Sequence, residues 1–202
     1  DIIEGISIDE AYLDVAESNH CFNSATWMAQ EIREKIFKET GLTASAGVSY
    51  NKLLAKLGSE YNKPNGLFVL PPGHTDEFIK HVPISSMWGV GKVTQGKMKL
   101  LDIDTFGDLH QYSKLDMINI FGSHGANLYN YARGIDHRSV ETSTERKTLS
   151  VENTYREDIL SLDEIKMKLF DAYTQMSSRL QKYNDRFIKS NFVKIKFNDF
   201  SK

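Results

Sequence analysis

One cysteine in 202 residues, Cys21, has no partner for an intrachain disulfide, so nothing points to an oxidising compartment. Long apolar runs are missing too. Lys, Asp or Gly interrupts each one before the roughly eighteen residues a membrane span needs, and the opening Asp1-Ile2-Ile3-Glu4 carries no basic leader. The expectation is a cytoplasmic protein without a membrane segment. His20, His74, His81, His110, His124 and His137 are dispersed and Cys21 lies outside any Cys-x-x-Cys, which argues against zinc. Neither a Walker-type Gly-Lys-Ser/Thr nor a Gly-x-Ser-x-Gly elbow is present, so P-loop and hydrolase chemistry lose support. Repeats and low-complexity tracts are absent as well.

What is present is an ordinary globular composition, 40% hydrophobic and 26% charged, long enough to bury a core. The net charge of -2 conceals an uneven distribution. Residues 1–70 hold 10 acids and 6 bases, residues 71–141 hold 8 and 7, and residues 142–202 hold 9 and 12. An acidic first third beside a basic last third fits a carboxylate metal site next to a module that grips nucleic-acid backbone. Variation of a solvated surface fits equally.

Residues 6–8 and 11–15 read as short strands around Asp9-Glu10, a hairpin. Asn23-Ser24 caps a run in which Ala25, Met28, Ile32 and Ile36 recur at helical spacing, closed by Thr40-Gly41. A strand is expected over 42–50, a helix from Asn51 to about Tyr61, a turn at Lys63-Pro64-Asn65-Gly66 and a strand over 67–70. The order β-β-α-β-α-β describes an α+β layer with helices on one face of a sheet. Pro71-Pro72-Gly73 marks a boundary, after which short helices are expected over 75–82, 91–101, 105–111 and 113–134. Residues 137–147 read as a linker. A strand over 148–155 should follow, then a helix opened by the capping box Ser161-Leu162-Asp163-Glu164 and carrying Ile165, Leu169, Tyr173, Met176 and Leu180 on one face. Residues 192–197 alternate like a strand, with Lys194 and Lys196 opposite Val193, Ile195 and Phe197. One more expectation is that the domain continues past Lys202, because a strand-helix-strand piece needs further strands.

Asp9 and Glu10, with Asp14 nearby, offer the oxygen ligands that Mg²⁺ prefers, provided the chain bends between the adjacent pair. An acidic surface turn is the alternative. Gly89-Val90-Gly91-Lys92 leads into a helix whose first N–H groups have no carbonyl partners, so a phosphate can sit there. This is the pattern of a helix-hairpin-helix, and equally of a plain two-glycine turn; a dinucleotide-binding loop would need a third glycine and a preceding strand. Lys63 stands as a point charge for a phosphate or as a solvated turn lysine.

Taken in order, the stretches beginning Ser7-Ile8-Asp9-Glu10-Ala11-Tyr12-Leu13-Asp14-Val15, Leu42-Thr43-Ala44-Ser45-Ala46-Gly47-Val48, Leu54-Ala55-Lys56 and Asn62-Lys63-Pro64-Asn65-Gly66 resemble the palm of a Y-family translesion DNA polymerase. Gly89-Val90-Gly91-Lys92-Val93 resembles its thumb hairpin. Gly134-Ile135-Asp136, Arg146-Lys147-Thr148 and Val193-Lys194-Ile195-Lys196-Phe197 continue into its little finger. The resemblance spans essentially the whole chain and is nearest the bacterial type IV enzymes. It implies a partial palm over 1–70, an all-helical thumb over 71–136 and a partial α+β little finger over 148–202. It further implies template-directed deoxynucleotide addition with two Mg²⁺ ions, Asp9 bridging the ions and Glu10 binding the one at the primer 3′-hydroxyl. Lys63 would meet the incoming deoxynucleoside triphosphate. Ser7, Gly89, Gly91 and Lys92 would lie at the primer, and Arg146, Lys147, Thr148, Lys194 and Lys196 would hold template backbone. Three departures accompany it: an earlier metal-binding Asp with the sugar-selecting aromatic is not in this sequence, Trp88 stands where the family usually has Pro, and the sliding-clamp-binding tail is absent. Lacking one catalytic Asp, these residues alone are expected to be inactive; the protein is expected to be a monomer. A non-catalytic DNA-binding module and a Mg²⁺-dependent nuclease using the same acid pair are the rival readings.

Overall fold

In the computed structural model, residues 2–142, 147–183, 187–199 and 201 are described. The chain forms two compact units, residues 1–143 and 144–202. The first opens with a hairpin of β1 (Ile2–Gly5) and β2 (Ala11–Asp14), antiparallel with Glu4 opposite Tyr12 and Gly5 opposite Ala11. The first strand thus lies four residues earlier than the alternation at 6–8 suggests. The amides of Ile6 and Ser7 both donate to the Glu10 carbonyl, at 2.9 and 3.3 Å, which closes a turn there and leaves Ile8 fully exposed. Period-two alternation marks faces; which residues pair is set by where the chain reverses.

The helix signals behave as local chemistry dictates. Ser24 accepts the Trp27 N–H at 3.3 Å and starts α1 (Ala25–Thr40), and the Gly41 N–H closes it on Phe37. Asn51 accepts the Leu54 N–H at 3.0 Å and starts α2 (Lys52–Tyr61). This helix connects β3 (Ala46–Val48) to its parallel partner β4 (Leu67–Val69). The strand expected over 42–50 is therefore shorter. Gly47 is required by close approach: a Cβ there would sit 2.0 Å from the Ala55 carbonyl oxygen and 2.4 Å from the Ser59 nitrogen, so α2 could not rest on β3. The four strands make two ladders, β1–β2 and β3–β4.

Leu53, Leu54 and Leu57 of α2 share one core with Ile79, Phe106, Leu109, Met117 and Leu128. That core runs without interruption past Pro71-Pro72-Gly73 into α3 (Thr75–Lys80), α4 (Lys92–Lys99), a 3-10 turn (Gly107–Gln111), α5 (Lys114–Phe121) and α6 (Gly125–Tyr131). The single helix expected over 113–134 is two, because Gly122 at φ 67° breaks it and α6 turns back onto α5.

The second unit is built on α7 (Leu162–Leu180), which begins at Ser161 as expected. The Ser161 side chain makes no cap bond, so the capping box is not formed. Residues 148–155 and 192–197, expected as strands, join no ladder among the described residues. Alternation defines two faces, but a strand exists only where a neighbour supplies hydrogen bonds. Side chains make the connections instead: Arg179 donates to the Ser150 carbonyl at 2.8 Å and Asn198 to Asp158 at 2.8 Å. No described helix is long and apolar enough to cross a membrane.

Candidate functional site

Asp9 and Glu10 occupy the turn between β1 and β2, so the bend that two adjacent carboxylates need is present. Ser7 ties the turn down: its hydroxyl donates to Asp9 Oδ1 at 2.6 Å and accepts the Asp9 N–H at 3.4 Å. Asp9 is exposed and Glu10 half-buried. Asp14 is not part of the pair, since it sits at the far end of β2 and accepts the Ala16 N–H at 3.0 Å.

From α2, Lys56 reaches Glu10 Oε1 and also Glu60, the latter at 3.1 Å; Lys63 bonds the same Glu60 oxygen at 2.7 Å. The site residues Glu10 and Lys63 are thereby linked through Lys56 and Glu60. Burial pulls the Lys56 ammonium down, but its bonds to Glu10 and Glu60 outweigh that and hold it above its ordinary value. The Lys63 ammonium, followed by Lys56, keeps Glu60 below its own. Arg33 braces the turn that carries Lys63, donating to the Ala44 carbonyl and to Asn65 Oδ1, each at 2.8 Å. Two carboxylates with open positions suit Mg²⁺, which binds through one or two such groups plus phosphates and water. Among the described residues no group of three His, Cys, Asp or Glu is close enough to hold an ion unaided.

The second predicted site, the glycine turn, follows a 3-10 turn (Ile84–Ser86). Gly89 takes φ 81°, and a Cβ there would lie 3.0 Å from His124 Cε1, so both backbone and neighbour call for glycine. Gly91 caps α4 through its carbonyl, which accepts the Gln95 N–H at 2.9 Å, and among the described residues no side chain caps the first-turn amides. Lys92 and Val93 are exposed beside them. In the second unit Lys147, Thr148, Lys194 and Lys196 are exposed; Arg146 lies outside the described residues.

A buried polar cluster went unread in the sequence. Lys52 donates to both Glu4 oxygens, at 2.8 and 2.6 Å, and to the Ser139 carbonyl at 3.1 Å. Asp136, its side chain 1% exposed, accepts the Leu53 N–H at 2.9 Å and pairs with Arg138 at 2.8 Å. Burial pushes the Asp136 carboxyl up, and the Arg138 bonds more than reverse it; the Lys52 ammonium likewise keeps Glu4 below its ordinary value. One signal was available. A lysine in the first turn of a helix opposes the positive end of the dipole, and a nearby carboxylate offsets that repulsion.

Family comparisons follow the same residues. Residues 1–60 match the impB/mucB/samB family and residues 146–202 match the impB/mucB/samB family C-terminal domain. Residues 85–136 match a model described as DNA polymerase-iota, thumb domain. Over all 202 residues the chain is 46% identical to proteins named DNA polymerase IV from Francisella philomiragia and from Ectopseudomonas mendocina. The chain belongs to the Y family of DNA polymerases. Among solved Y-family structures it is similar to DinB from Sulfolobus solfataricus, with a TM-score of 0.63 and 31% identity over 70% of this chain and 42% of that one. A Y-family DNA polymerase chimera, Dbh-Dpo4(243-245)-Dbh, gives a TM-score of 0.73 and 27% identity over 89% of this chain and 52% of its own. The chain spans 58% of the length of the Francisella relative and 57% of the Ectopseudomonas one. In Y-family terms the carboxylate turn lies in the first matched region, the glycine turn in the thumb region, and Lys194 and Lys196 in the C-terminal region. The α+β class with a helical thumb, expected from the sequence, is the one found.

Proposed function

We propose that the protein containing these residues is a translesion DNA polymerase, adding deoxynucleotides to a primer end under the direction of templates that include damaged ones. The observation that carries this is the β1–β2 turn, which presents Asp9 and Glu10 together and sets Glu10 against Lys56 of α2, itself linked through Glu60 to Lys63 in the turn after that helix. In this reading Asp9 and Glu10 hold two Mg²⁺ ions together with ligands from outside the 202 residues. When bound, the ions would polarise the primer hydroxyl and offset charge on the departing pyrophosphate. Lys63 turns from Glu60 to the triphosphate, and Ser7 keeps Asp9 oriented. Gly89, Gly91 and Lys92 offer free amides and a cation to primer backbone, while Arg146, Lys147, Thr148, Lys194 and Lys196 supply charge and hydrogen bonds to template backbone.

Two carboxylates in one turn are part of a two-ion site, so the 202 residues by themselves should bind primer-template DNA in a salt-sensitive way and not extend it. Primer extension tests both parts. Asp9→Ala in the full-length protein should lower turnover by at least about a thousandfold, the equivalent of several kcal/mol of transition-state stabilisation. Unchanged extension by that variant overturns the polymerase reading, and robust extension by the isolated 202 residues overturns their inactivity.

A further inference from the structure

Lys52 takes no part in the chemistry above, yet its side chain is 8% exposed and all three of its ammonium donors are used. It sits 5.0 Å from the Tyr12 ring centroid. Glu4 and Tyr12 are directly opposite each other across β1–β2, so one cation holds both strands of the hairpin whose turn carries Asp9 and Glu10. The same Glu4 carboxylate accepts the Glu141 N–H at 2.8 Å, and Lys52 bonds the neighbouring Ser139 carbonyl. The hairpin is therefore fastened to residues 136–141, the stretch that follows the thumb helices. From that stretch Asp136 holds the first turn of α2, and the Arg138 guanidinium lies 5.7 Å from the centroid of Trp88, the residue before Gly89.

We propose that Lys52 is a positioning residue for catalysis. It locks the carboxylate hairpin to residues 136–141 and, through Arg138 and Trp88, to the glycine turn, so that the reacting end and the gripped backbone of a primer keep one spacing. The inference rests on the polymerase reading above. Its physical basis is that a displacement of about 1 Å at a reacting group can cost on the order of a hundredfold in rate.

A buried ion pair that only supported the fold would behave differently. Replacing both partners by neutral groups of similar size is often harmless to stability, whereas removing one strands a charge. The deciding variant is accordingly Glu4→Gln with Lys52→Met in the full-length protein, assayed by primer extension and by thermal melting. The melting midpoint should stay near that of the parent, with kcat lower by at least about tenfold and the nucleotide KM and DNA Kd within about twofold. Lys52→Arg, which keeps the charge, should restore kcat to within about threefold of the parent. Trp88→Leu leaves the buried pair intact and should lower kcat about threefold, since only the outer link is lost. Parent-like kcat in the double variant overturns the proposal. So does a deficit that vanishes on assay at lower temperature, which would mark a purely structural role. If the double variant fails to fold, Trp88→Leu decides, and parent-like turnover there is the overturning result. Asp9→Ala separates the two ideas: if it is inactive while these variants turn over normally, only the positioning role fails, and if it extends primers, the polymerase reading itself fails.

Discussion

In the first unit the apolar stripe of α2 vanishes into a core, with Leu53, Leu54 and Leu57 exposed by 2%, 0% and 4%. In the second unit α7 carries its stripe at the same spacing, yet Leu169 and Tyr173 are 44% and 65% exposed and no residue of the helix is buried. The two helices are written with the same code. What differs is the packing around them. α2 lies on two strands and meets α3 and the thumb helices, whereas α7 buries no residue and reaches residues 148–155 through the Arg179–Ser150 hydrogen bond and the Lys168 ammonium near the Tyr155 ring. Helical periodicity states which face needs cover, and burial then depends on elements distant in sequence.

The sharpest way to break this comparison is to delete equivalent side chains. Phe106→Ala, at a fully buried position, should destabilise the first unit by about 3–5 kcal/mol. Phe170→Ala, where the ring is 67% exposed, should cost the second unit under about 0.5 kcal/mol. Urea unfolding followed by fluorescence reads the first unit alone, because both tryptophans, Trp27 and Trp88, lie there; hydrogen exchange along α7 reads the second. Equal effects would show that the two cores do not differ.

Gly47→Ala should rank next. The added methyl meets the backbone of α2 rather than a side chain that can move, and overpacking of this kind costs about 1–3 kcal/mol. The urea midpoint of the same fluorescence signal measures it.

Acid should also separate the units. Glu4, Glu60, Asp108, Asp116 and Asp136 in the first unit are held below their ordinary values of 4.5 for Glu and 3.8 for Asp, whereas among the described residues of the second unit only Asp199, hydrogen-bonded to Ser201, is. A lowered carboxyl contributes stability that is present above the unfolded value and is lost as the pH falls through the folded one. The first unit should therefore lose stability progressively below about pH 4, and Asp136→Asn should flatten that loss. Urea midpoints from neutral pH downwards check both statements.

The smallest expected difference lies at two helix starts. Ser113 forms a complete capping box with Asp116, so Ser113→Ala should cost about 1 kcal/mol. Ser161 caps nothing with its side chain, and Ser161→Ala should change stability by a few tenths of a kcal/mol at most. Matching costs would mean that Ser161 caps α7 in solution.

Most of the candidate site was legible. Asp9 and Glu10 stood out as adjacent acids in a turn, and Gly89 and Gly91 as a glycine pair before a helix, because turns and caps are decided by residues a few positions apart. The cluster of Lys52, Glu4, Asp136 and Arg138 did not stand out, for Lys52 bonds groups 48 and 87 positions away and Asp136 accepts from an amide 83 positions away, leaving only the Asp136–Arg138 pair local. The strand limits failed for the same reason. Residues 6–8 alternate as well as residues 2–5 pair, and only the closure of the turn on the Glu10 carbonyl chose between them.

By itself the sequence determined the local elements: where α1, α2 and α7 begin, where Gly41 stops a helix, and which residues offer carboxylates or open amides. Tertiary structure alone decided which strands pair, which amphipathic faces are covered, and that a lysine at the start of α2 should grip both strands of the hairpin. Capping and periodicity are satisfied within a turn or two of chain, while ladders, cores and buried ion pairs are completed only by groups that folding brings together.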